Sequence, residues 1–95
     1  MIEVTKVQKD VFLAFAKKYD PDVYAIISRG PPNGLEIRTD TEKDELELFA
    51  QKIGALILND HPDYEGTDEN INEDATMVSF IVTDMVHDYL KRSRL

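Results

Sequence analysis

Apolar residues recur at intervals of three and four positions in three separate segments, and this spacing limits the possible fold more than any other feature. The segments are residues 5–19, 41–58 and 76–92. Such spacing places the apolar side chains on one face of a helix and the charged side chains on the opposite face. The sequence therefore predicts three amphipathic helices that pack against one another.

The first predicted helix has a start signal and a stop signal. Thr5 is a suitable N-cap residue, and the helix should end at Asp20-Pro21 because a residue that precedes proline is pushed out of the α region. Lys9 is expected on the solvated face with the other charged residues of this segment. The predicted apolar face consists of Val4, Val7, Val11, Phe12, Phe15 and Tyr19.

A β-hairpin is predicted between the first and second helices. Residues 23–29 are rich in β-branched and aromatic side chains, residues 30–34 read Gly-Pro-Pro-Asn-Gly, and residues 35–39 alternate apolar and charged side chains. Two short strands around a Pro- and Gly-rich turn are typical of a hairpin. The predicted fold class is α+β with the element order α-β-β-α-α.

The second and third long segments complete the predicted fold. Thr41 and Asp44 resemble a capping box, which should open a helix that runs to about Leu58. Gly54 within it either costs up to about 1 kcal/mol relative to Ala or marks a close helix crossing. Asp74 or Thr76 should cap the last helix.

The last helix is apolar over more than the roughly 100° that a surface helix needs to bury. A chain of 95 residues can hardly cover such a helix on all sides. We therefore expect a homodimer whose interface includes Phe80, Val82 and Val86.

Composition bounds the class of protein. Residues 1–95 make one domain, with no room for a second core. The chain has no Cys, so disulfides, thiol catalysis and thiolate zinc sites are excluded. It also lacks a secretory leader pattern and a run of about 18 apolar residues. We expect a soluble, cytoplasmic protein that has no contact with membranes.

The negative charge is concentrated in one part of the chain. The formal net charge of −8 divides into −2 over residues 1–52, −9 over residues 53–90 and +3 over the last five residues. Such one-sided charge disfavours direct binding to nucleic acid and favours a basic protein partner. The predicted binding segment is an acidic loop, residues 59–74. Its predicted partner-binding residues are Asp60, Asp63, Tyr64, Glu65, Asp68, Glu69, Glu73 and Asp74.

Two chemical alternatives assign the carboxylates of the chain to metal binding. An EF-hand reading with Gly66 in the glycine position puts His61 and Asn72 at the two end positions, where that loop needs Asp and Glu. Two acidic pairs at helical spacing instead suggest a carboxylate-Mg²⁺ enzyme that handles nucleotides. The pairs are Glu42 with Glu45 and Asp84 with Asp88. Neither pattern is complete, so we predict no catalytic residue, no metal and no cofactor.

In residues 49–68 an apolar helix leads into Asp60-His61-Pro62-Asp63 and then Gly66-Thr67-Asp68. This pattern resembles part of the motif of colicin-nuclease immunity proteins. In that family a His-Pro and Gly-Thr/Ser-Asp turn precedes a Tyr-Tyr-Pro element in an all-helical fold. Here Tyr64 and Glu65 split the turn and the Tyr-Tyr-Pro element is absent, so the resemblance does not establish membership. It implies an acidic protein that blocks a basic nuclease.

The sequence predicts a small acidic interaction module without enzymatic activity. An inhibitor or accessory protein of a nucleic-acid-handling partner fits this description, as does a phage or mobile-element accessory protein. A carboxylate-metal enzyme and a structural subunit of a homo-oligomer remain the alternatives.

Overall fold

The computed structural model describes the backbone of residues 1–58 and 68–94, and the side chains of residues 1–55 and 73–94. Four helices and two very short strands make up these residues, so the α+β class is confirmed while helices dominate. The elements are β1 (Ile2–Glu3), α1 (Lys6–Tyr19), α2 (Pro21–Ile27), β2 (Gly34–Leu35), α3 (Asp40–Leu58) and α4 (Asp68–Ser93).

The first helix begins and ends as predicted. The Thr5 hydroxyl accepts a hydrogen bond from the Gln8 backbone N–H at 3.0 Å, and the Gln8 side chain accepts one from the Thr5 N–H at 2.9 Å. This capping box satisfies two N–H groups that the helix itself leaves unpaired. Asp20 ends α1 with extended backbone angles, φ −155° and ψ 93°, as the following Pro21 requires.

The strand predicted over residues 23–29 is wrong, because this segment forms α2. The Asp20 carboxylate caps α2 by accepting from the N–H groups of Asp22 and Val23, and Pro21 occupies the first turn. An N-cap acid followed by proline is a strong helix start, and here it outweighs the β propensity of the apolar residues that follow. Val23 and Ile27, four positions apart, both face the core.

The predicted hairpin is also wrong, because β2 pairs with the start of the chain. Ile2 lies opposite Leu35 and Glu3 lies opposite Gly34 in an antiparallel pair. The segment expected to return as a strand over residues 35–39 contributes only its first residue to β2. The element order among the described residues is therefore β-α-α-β-α-α rather than α-β-β-α-α.

The third helix begins slightly earlier than the sequence predicts. The Thr39 hydroxyl, rather than that of Thr41, accepts a hydrogen bond from the Glu42 N–H at 3.1 Å, so the cap lies two residues upstream. The end at Leu58 is confirmed. A Cβ added at Gly54 would meet no atom of the described residues within 4 Å, so this glycine does not mark a close helix crossing.

The last helix begins at Asp68, well before the predicted caps Asp74 and Thr76. Residues 68–74, assigned to the acidic loop from the sequence, are therefore the first two turns of α4. Acidic residues in a first turn are favoured by the positive end of the helix dipole, which explains why this polar stretch is helical.

The core lies between the four helices. Phe12 of α1 stacks on Phe49 of α3, with ring centroids 5.7 Å apart. The predicted burial of two residues on α1 is wrong. Val7, expected on the apolar face, is 70% exposed, whereas Lys9, expected on the solvated face, is only 4% exposed. The apolar face of α1 is thus turned away from Val7. The other large, fully buried side chains are Val23, Ile27, Ile37, Leu46, Ile53, Val78 and Met85.

Candidate interaction surface on the last helix

Half of the predicted partner-binding residues lie outside the described part of the chain. These are Asp60, Asp63, Tyr64 and Glu65. Asp68 and Glu69 belong to the first turn of α4, for which only the backbone is described. The side chains of Glu73 and Asp74 are described: Glu73 is exposed and Asp74 is half-buried. The structure therefore places the second half of the acidic segment on a helix.

One side of α4 points away from the core, and we call it the outer face. It consists of Glu73, Thr76, Phe80, Asp84 and His87, all of which are exposed. Phe80 is 67% exposed, whereas the side of α4 opposite to Phe80 is buried in the core. A large aromatic side chain in water with acidic neighbours on its helix is the kind of residue that anchors protein interfaces.

The two carboxylates of the outer face have no counterion among the described residues. Neither Glu73 nor Asp84 forms an ion pair there. By contrast, Asp88 is 3.1 Å from the N-terminal amine and 2.9 Å from Arg92 Nε. The negative charge of the outer face is thus left for solvent or for a partner.

The residues predicted for a dimer interface do not share one surface. Phe80 is 67% exposed, whereas Val82 is 3% exposed because the chain's own core covers it. Val86 is half-buried beside Ala50 in a groove between α3 and α4. Positions two apart on a helix do not face the same way, so Phe80 and Val82 cannot both contact one flat partner. The homodimer stays a prediction.

The two acidic pairs proposed for a metal enzyme are separated. The Glu42 carboxylate accepts two hydrogen bonds from the Arg29 guanidinium, at 2.6 and 2.8 Å. These bonds lower the pKa of Glu42. Asp88 is held by Arg92, while Asp84 is exposed without an ion-pair partner among the described residues. The four carboxylates therefore do not form one site.

Glu45 instead belongs to a cluster that sequence reasoning missed. One carboxylate oxygen from each of Asp20, Asp22 and Glu45 lies within 4.8 Å of the others. The neighbouring Asp20 carboxyl group, together with desolvation, raises the pKa of Glu45. The only signal in the sequence was the Asp20-Pro21-Asp22 triplet, which predicts a helix boundary and says nothing about which residue it will meet.

Comparison with known proteins gives no relative: no protein family, curated protein or solved structure matches this chain. Within the described residues, none of the helices combines the length and the apolar character that crossing a membrane requires. His87 is exposed on the outer face, and His61 lies outside the described residues.

Proposed function

We propose that this protein is a non-enzymatic interaction module that binds a basic protein partner. The binding surface is the outer face of α4 together with the acidic segment, residues 59–74, which comes before Phe80 in the sequence. The observation that carries the proposal is Phe80, which is 67% exposed on a face whose two carboxylates lack counterions among the described residues.

Charge and apolar contact have different roles in this proposal. The concentrated negative charge of residues 53–90 attracts a cationic surface and speeds encounter, an effect that salt weakens. Affinity then comes from burying one or two aromatic side chains. Phe80 supplies such an anchor on the described surface, and Tyr64 is a second candidate from the sequence.

The partner is best sought among proteins that handle nucleic acids, since these carry the cationic surfaces that an acidic module complements. In this role the protein acts as an inhibitor or accessory protein, of the kind that phages and mobile elements encode. The absence of Cys favours a cytoplasmic setting.

The test is a comparison of tagged variants in extracts of the native host, with bound proteins identified by mass spectrometry. The wild-type chain should retain one or more basic proteins, and Phe80→Ala should lose them. Leu48→Ala is the matched control, because Leu48 is another exposed apolar side chain, 52% exposed, on α3. The association rate of the retained protein should fall as salt rises, and the double variant Glu73→Gln/Asp84→Asn should slow it at low salt.

Two results would contradict the proposal. The first is that Phe80→Ala retains the same proteins in the same amounts as Leu48→Ala. The second is that the association rate does not depend on salt or on Glu73 and Asp84. Light scattering on the same variants tests the homodimer: a dimer that Phe80→Ala dissociates would make Phe80 a contact between two copies of this chain.

A further inference from the structure

Three carboxylates from two helices meet where α1 ends. Asp20 is the N-cap of α2, Asp22 lies in the first turn of α2, and Glu45 lies in α3. One oxygen from each lies within 4.8 Å of the others. Two oxygens bound to one Ca²⁺ ion lie at most about 5 Å apart, because Ca²⁺–oxygen bonds are about 2.3–2.6 Å long, so the three oxygens are close enough to share one ion.

Asp20 supplies an observation that is independent of the clustering. It is 4% exposed, and its Oδ1 accepts hydrogen bonds from the N–H groups of Asp22 and Val23 at 3.2 and 3.3 Å. Its Oδ2 is buried and accepts no hydrogen bond. Buried polar atoms nearly always form a hydrogen bond, so a buried carboxylate oxygen that accepts none, inside a carboxylate cluster, points to a ligand.

Lys52 is the positive charge that lies beside this oxygen. Its Nζ forms an ion pair with Asp20 Oδ2 at 3.5 Å, beyond ordinary hydrogen-bond distance, and its side chain is 56% exposed. Three ionised carboxylates beside one ammonium leave two negative charges uncompensated.

We propose that Asp20, Asp22 and Glu45 bind a hard divalent cation, Ca²⁺ or Mg²⁺, which displaces the Lys52 ammonium. The cation has three carboxylate ligands from the protein, and water completes its coordination because Asp22 is exposed. It links the start of α2 to α3 and neutralises the cluster. This site is separate from the outer face of α4.

The experiment is isothermal titration calorimetry of the full chain with CaCl₂ and, separately, with MgCl₂. At least one ion should bind the wild type with one-to-one stoichiometry. Asp22→Asn should weaken binding by roughly tenfold or more, since Asp22 is a directly coordinating carboxylate on an exposed position. Asp20→Asn should weaken it as well, and Asn still caps a helix well, so this variant is expected to fold.

Lysine variants distinguish a cation site from a carboxylate cluster that Lys52 already satisfies. Lys52→Met should tighten binding by roughly threefold to tenfold, because the ion no longer competes with an ammonium. Lys43→Met is the matched control: Lys43 lies on the same helix but pairs with Asp44 and Glu47, and its loss should leave the affinity unchanged.

Four results would overturn the proposal. The first three are that neither ion binds the wild type, that Asp22→Asn binds as tightly as the wild type, and that Lys52→Met fails to tighten binding. The fourth concerns the outer face of α4. The double variant Glu73→Gln/Asp84→Asn should have no effect on the titration. If it abolishes the heat of binding, the ion binds at the outer face of α4 and the proposal is wrong.

Discussion

Substitution of Lys9 is the most informative single perturbation of this fold. Its side chain is 4% exposed, and Nζ donates to three backbone carbonyls: Arg29 O at 2.8 Å, Pro31 O at 2.8 Å and Gly34 O at 2.9 Å. No carboxylate of the described residues pairs with it. The ammonium therefore holds the turn between α2 and β2 against α1.

The substitution Lys9→Met keeps the length of the apolar stem and removes the three donors. The bond to Gly34 O is buried, so losing its donor should cost about 1–3 kcal/mol. The bonds to Arg29 O and Pro31 O are partly buried, and water can replace the donor there, so we assign about 1 kcal/mol to each.

Two effects oppose this loss. Burial of the ammonium lowers the pKa of Lys9, which shows that desolvation of the charge already costs stability in the wild type. Methionine carries no such cost and packs well in irregular spaces. Together these should recover about 1–2 kcal/mol, so the net destabilisation should be about 2 kcal/mol.

Urea denaturation followed by circular dichroism measures this change in the free energy of unfolding. The midpoint should fall while the slope stays unchanged. Lys17→Met is the matched control, because Lys17 is an exposed lysine on the same helix and its substitution should change stability by less than about 0.5 kcal/mol. If Lys9→Met is as stable as Lys17→Met, the three carbonyls do not need the ammonium and the reasoning is wrong.

Three further substitutions test other parts of the fold. Glu42→Gln should cost about 2 kcal/mol at pH 7, because it breaks the bidentate contact with partly buried Arg29. The folded pKa of Glu42 lies below its unfolded value, so this stabilisation is present above the unfolded pKa and is lost as the pH falls through the folded pKa. Urea titrations should therefore show a smaller difference at about pH 3.5 than at pH 7, and an equal difference at both would contradict the account. Gly34→Ala should destabilise by about 1–3 kcal/mol, since the new Cβ would lie 2.9 Å from Pro31 Cγ, whereas Gly54→Ala, in open space within α3, should stabilise by about 0.5–1 kcal/mol. Thermal melts that rank the two alanine variants the other way would show that the space around Gly34 relaxes freely.

The candidate surface could be predicted from the sequence only in part. The acidic character of residues 53–90 is evident in the sequence, and this charge is enough to indicate the region that a basic partner would meet. The sequence did not show that Phe80 is exposed while Val82 is buried. Both residues are apolar and lie close together in α4, and only the packing of α4 against α3 decides which of them faces water.

The sequence alone determined the elements whose signals are local. Thr5 and Gln8 define the start of α1, and Asp20-Pro21 defines its end, because these contacts join residues at most four positions apart. Sequence reasoning failed where two local signals competed: the β propensity of residues 23–29 predicted a strand, and the N-cap Asp20 with Pro21 produced a helix.

Tertiary structure alone decided the contacts between distant residues. Ile2 pairs with Leu35, Lys9 reaches the carbonyl of Gly34, and Glu45 meets Asp20. Each of these contacts requires the chain to close a loop of more than twenty residues, and many alternative closures have a similar entropic cost. The burial of the shared core selects one of them, and that selection depends on all four helices at once rather than on any segment of the sequence.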